Sequence, residues 1–133
     1  MKIIAIDTNV LLDFLLKRHP RFNEVKRLFE DCAERKIEIY IPQVVFPEIE
    51  WVLRSHYGES KEKIVRFLEE LLGLDGIILE NKPEIQQATG IYKYANIKFT
   101  DSIIAAQMQR IKPDEFLTFD EDLQKFYQRM EWE

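Results

Sequence analysis

A chain of 133 residues that is 46% hydrophobic and 32% charged, with four glycines and five prolines, has the composition of one globular domain that buries a core without disulfides, which excludes a disordered or fibrous protein. Its formal charge of -5 excludes a general nucleic-acid coat, because binding a phosphate backbone relies on Lys and Arg displacing counterions. An acidic enzyme of nucleic acids has to bring cations of its own, and the basic stretch Lys17, Arg18, His19, Arg21 is weak evidence for anything beyond solvated surface.

In chain order, residues 3–6 form a short apolar run rich in β-branched residues. That is the pattern of a strand covered on both faces, and it stops at Asp7. It is too short for a signal peptide or a membrane span, so a cytoplasmic protein is expected. Helices are expected over 8–17 and 21–35, separated at His19-Pro20, with Cys32 as reduced core on the apolar stripe of the second. A second strand covers 37–41. Helical spacing returns over 43–56 and 59–72, and the Asp75-Gly76 turn leads to a third strand over 77–79. Residues 83–95 and 101–111 read as helices, the latter with Thr100 as cap. A fourth strand is expected over 116–119, a helix over 121–127, and an edge strand over 130–132. Strands separated by helices imply an α/β/α sandwich around a parallel sheet of four to five strands, one domain over residues 1–133.

Parallel sheets bind ligands beyond the carboxyl ends of their strands, which singles out a few acids. Asp7 and Asp120 directly follow strands, Glu48 sits in the first turns of the helix after the second strand, and Asp101 opens a helix leading toward the fourth. Val44, Val45, Trp51 and Val52 surround Glu48 at helical spacing, and Ile104, Ala105 and Met108 share a face with Asp101, so both carboxylates are expected to point inward. Glu50, with Arg54 four residues on, is expected at the surface, Asp13 is expected to pair with Lys17, and Asp75 belongs to its turn. Each acid also has a plain structural role: Asp7 and Asp120 as caps of the following helices, Asp101 as a favourable charge at a helix start. Several inward carboxylates without basic partners are tolerable when a dication neutralises them, and hard oxygen donors select Mg2+ or Mn2+. With only His19 and His56 and no paired cysteines, zinc has little support, and no glycine-rich phosphate loop occurs.

The segments Ile-Ala-Ile-Asp7-Thr8-Asn9, Val-Val-Phe-Pro-Glu48, Phe99-Thr100-Asp101-Ser102 and Leu117-Thr118-Phe119-Asp120 resemble, in order and spacing, the PIN-domain family, and within it the VapC-type toxin ribonucleases. The resemblance covers essentially the whole chain. It implies a Rossmann-like fold, often dimeric, that cuts RNA with one or two Mg2+ or Mn2+ ions held by residues matching Asp7, Glu48, Asp101 and Asp120. Thr8, Asn9 and Thr118 would stand behind these ligands, with Asp122 as an auxiliary acid, and a small antitoxin protein would be a partner. Pro47 departs from the usual family pattern but suits a first helical turn.

Two other functions fit parts of the sequence. Asp7 could be the nucleophile of a haloacid-dehalogenase-like phosphatase, although position 9 is Asn where such enzymes place a second Asp. A non-catalytic PIN or receiver-like interaction module is the other alternative, disfavoured by the presence of all four acids.

Overall fold

The structure, a computed structural model, describes residues 1–129. Its elements are β1 (Lys2–Ala5), α1 (Thr8–Leu15), α2 (Phe22–Ala33), β2 (Ile37–Tyr40), α3 (Val45–Ser55), α4 (Lys61–Leu72), β3 (Ile77–Ile78), α5 (Lys82–Tyr94), α6 (Phe99–Ile111) and α7 (Glu121–Arg129). The chain divides into two compact units, Met1–Lys82 and Pro83–Glu133. Among the described residues, no helix is long and apolar enough to cross a membrane.

The first unit holds a parallel sheet of order β1-β2-β3, with Ile4 opposite Ile39 and Tyr40 opposite Ile78. Helix α2 packs on β2, α1 packs on α2 and α3, and α3 packs on α4. The helices form where the sequence repeats apolar residues at helical spacing: Val25, Phe29 and Cys32 of α2 are buried, as are Ile64, Val65, Leu68, Leu71 and Leu72 of α4. Ser60 caps α4, its hydroxyl accepting from the Lys63 amide at 3.2 Å. Cys32 is core, as expected, and burial raises its thiol pKa.

Gly76 sets how closely β3 approaches α2. Its carbonyl accepts from Ile39 N at 2.8 Å, and a Cβ there would stand 2.6 Å from Cys32 Sγ and 3.3 Å from the carbonyl oxygens of Cys32 and Ile37. No other residue fits without movement.

Three expectations change in this unit. Among the described residues β1 lies at one edge of the sheet, and Lys2, Ile3 and Ala5 are exposed rather than covered on both faces. Asp13 is buried and pairs with Arg18 at 2.8 Å and Arg21 at 3.7 Å, not with Lys17. Helix α1 ends at Leu15 and Lys17 takes a left-handed φ of 52°, so the helical spacing that would have joined Asp13 to Lys17 no longer applies. Glu50 does pair with Arg54, at 2.6 Å, but is 2% exposed rather than at the surface.

The second unit is built on α5, α6 and α7, with α7 packed on α6. Ile85, Ala88, Tyr92, Phe99, Ala105, Ala106 and Leu123 are buried, and the Tyr92 and Phe99 rings meet at 5.5 Å. Buried Glu84 ties α5 to α6 by accepting from Arg110 Nε at 2.9 Å and from Gln107 Nε2 at 3.4 Å.

The sheet has three strands among the described residues instead of four to five. Residues 116–119 form no strand, and Leu117 and Phe119 are 77% and 89% exposed. Local bonds take up the polar groups of this segment: the Thr118 hydroxyl accepts from the Asp120 amide at 3.1 Å and its carbonyl accepts from Gln124 Nε2 at 2.6 Å. Such turn-forming contacts compete with a sheet ladder. The edge strand expected over 130–132 lies outside the described residues.

Candidate functional site

In the first unit, the last ladder bond along β1 runs from Ile6 N to Tyr40 O at 3.0 Å. Asp7 follows immediately in extended conformation and caps α1, its Oδ1 accepting from Val10 N at 3.1 Å. The capping role expected of Asp7 is therefore real, and it occupies one carboxylate oxygen. Asp7 Oδ2 makes no hydrogen bond among the described residues. Thr8, the first residue of α1, donates its hydroxyl to Glu48 Oε2 at 2.8 Å. This bond brings the Glu48 carboxylate beside the residue that follows Asp7, across the packed pair α1 and α3.

Glu48 does not point inward. Val45, Ile49 and Leu53 form the buried face of α3, whereas Glu48 is exposed, and Val44 and Trp51 on its side of the helix are 59% and 52% exposed. At about 100° per residue, positions 44, 48 and 51 fall on one face and 45, 49 and 53 on another. Pro47, the third residue of α3, is accommodated in the first turn. The Asn9 side chain makes no hydrogen bond among the described residues; its carbonyl accepts from Arg18 at 3.4 Å.

In the second unit, Asp101 is the third residue of α6 and half-buried. Its carboxyl is pushed above the ordinary carboxylate range, chiefly by burial and then by the negative charge of Asp120, with Lys98 opposing and Asp122 adding to the rise. Helix α6 begins at Phe99, so Lys98 rather than Thr100 stands at the cap position, without a side-chain cap bond. Asp120 caps α7, its Oδ1 accepting from Leu123 N at 2.9 Å. Thr118 fixes the same turn through its bond to the Asp120 amide.

Asp7 and Glu48 are thus neighbours through Thr8 in one unit, and Asp101, Asp120 and Asp122 share an electrostatic environment in the other. Within neither unit do three His, Cys, Asp or Glu side chains converge as a metal-holding group among the described residues. The partners of the acids separate them from structural carboxylates. Asp13, Glu50 and Glu84, all buried, are each paired with an arginine. Asp7, Glu48, Asp101 and Asp120 form no ion pair among the described residues. A half-buried carboxylate such as Asp101 is costly to ionise without a cation beside it, and these oxygen donors suit a hard dication.

The PIN domain family model matches residues 4–128 and so runs through both units. The VapC ribonuclease of Aquifex aeolicus (strain VF5) is 25% identical over 120 residues, covering 90% of this chain and 89% of that protein. No solved structure gives a significant match. With nearly its whole length matched, and an aspartate at the end of its first strand, this α/β chain belongs to the PIN-domain family.

Proposed function

We propose that this protein is a metal-dependent endoribonuclease, the toxin of a toxin-antitoxin pair, in which Asp7, Glu48, Asp101 and Asp120 ligate Mg2+ or Mn2+. The observation that carries the proposal is Asp101, half-buried without an ion-pair partner among the described residues and with the negative charges of Asp120 and Asp122 acting on it. The similarity to a VapC ribonuclease supplies the substrate class.

Bound dications lower the pKa of water and neutralise charge developing on a phosphodiester. The chain's own residues have simpler tasks. Asp7 and Asp120 each hold one oxygen on a helix amide and leave the other for a ligand bond. Thr8 fixes the rotation of Glu48, and Thr118 fixes the turn that carries Asp120. Asp101, half-buried and without an ion-pair partner among the described residues, would be kept ionised by the dication it ligates. Asn9 follows Thr8 in the first turn of α1, and Asp122 adds negative charge around Asp101.

Hydrolysis by this route leaves a 5′-phosphate and a 3′-hydroxyl. The test is wild type beside Asp101→Asn on total cellular RNA, with and without Mg2+ or chelator, with mapping of the cut ends. A defined cut abolished by both chelator and substitution is expected; cyclic phosphate ends, or cutting that survives EDTA, would overturn the metal-water route. From the same similarity, the proposed partners are an antitoxin that silences the protein and a second copy in a homodimer.

A further inference from the structure

Trp51 is 52% exposed although its helix neighbours Ile49, Glu50 and Leu53 are buried. It lies one helical turn after Glu48, on the outward face of α3 that also carries Val44, where residues three apart are surface neighbours. The indole is oriented by His56, whose ring stands at 86° to it with centroids 5.2 Å apart. Nearby in sequence, Tyr57 is 47% exposed. Arg18, which pairs with buried Asp13 at 2.8 Å, also donates to the Asn9 carbonyl at 3.4 Å. The outward face of α3 beside Glu48 therefore carries an exposed, oriented indole, and an unpaired base offers a face that can stack on it.

We propose that Trp51 is a stacking platform for an unpaired RNA base close to the bond being cut. A base inside a duplex has both faces covered and cannot reach an indole fixed on a helix surface. The proposal rests on the nuclease function above.

The chain has two tryptophans, Trp51 and Trp132, so Trp132→Phe leaves the Trp51 indole as the only tryptophan emitter. That protein, in EDTA so that metal-dependent cutting is stopped, is titrated with a short unpaired oligoribonucleotide and with the same sequence in a duplex. Saturable quenching by the unpaired RNA and little by the duplex is expected. In Mg2+, Trp51→Ala is expected to raise KM for unpaired RNA about 5- to 150-fold with a smaller change in kcat, and Trp51→Phe to recover most of the loss. Unquenched emission together with unchanged KM in Trp51→Ala overturns the platform while the nuclease stands. Quenching without any cutting by wild type keeps the platform and overturns the nuclease. Emission that follows protein concentration instead of RNA assigns the indole to a contact between copies and also overturns the platform.

Discussion

The Thr8–Glu48 hydrogen bond separates a ligand-positioning role from a structural one. Thr8→Val keeps the shape of the side chain and removes only the hydroxyl that donates to Glu48 Oε2 at 2.8 Å. A hydrogen bond to a charged group contributes about 1.5–3 kcal/mol in protected sites, but this pair faces solvent, which reduces it to below about 1 kcal/mol. The stability change should therefore be small, a fall in Tm of no more than about 5 °C for a chain of this size. The effect on a dication should be larger, because a carboxylate that has lost its positioning partner typically binds metal about 10- to 100-fold more weakly. Calorimetric titration of wild type, Thr8→Val and Thr8→Ser with Mn2+ measures both the affinity and its recovery when the hydroxyl returns. A Thr8→Val protein that binds Mn2+ within twofold of wild type, beside a Glu48→Gln protein that binds weakly, would refute the positioning role of this hydroxyl.

Asp101 gives a pH-dependent stability with a definite sign. Its folded pKa is raised above the ordinary 3.8 by burial and by Asp120, so the stability tied to its protonated form is complete below that value and lost as pH rises through the folded pKa. In EDTA at neutral pH, Asp101→Asn should melt higher than wild type, with the gain shrinking toward acid, and a lower Tm at neutral pH would contradict the shift. Gly76→Ala should destabilise by about 1–3 kcal/mol, since its new methyl meets Cys32 Sγ and two carbonyls. In urea unfolding, Cys32→Ala in the same chain should recover part of that loss, and full additivity of the two changes would show that the contact is not the cause.

The sequence shows the outline of the first unit because its signals are local. The run before Asp7 gives the strand, the Cys32 stripe gives α2, and the position of Asp7 after β1 needs only the place where the apolar run stops. Errors enter where tertiary phase decides. Glu48 has apolar neighbours in sequence, but the face of α3 that packs is set by Val45, Ile49 and Leu53, which leaves Val44 and Trp51 outside. Trp51 was visible only as an apolar neighbour of Glu48, and nothing in its spacing distinguishes an exposed indole from a buried one. Glu50 shows the converse: an i, i+4 partner predicts the Arg54 ion pair but not that the pair's carboxylate is buried. Residues 116–119 have strand-like composition, and strand formation also needs a ladder partner, while the Thr118 hydroxyl and carbonyl are engaged in the turn before α7.

Asp7 and Asp120 each start a helix with one oxygen and keep the other in reserve. Replacement by alanine at these positions would fray α1 or α7 as well as remove a negative charge, so lost cutting in an alanine variant reports two injuries at once. Asparagine, which also caps well, removes the charge alone. The same arithmetic applies to inheritance: a descendant that no longer cut RNA would still be held to a side chain able to cap at positions 7 and 120, so an asparagine or serine there is the expected mark of a retired nuclease.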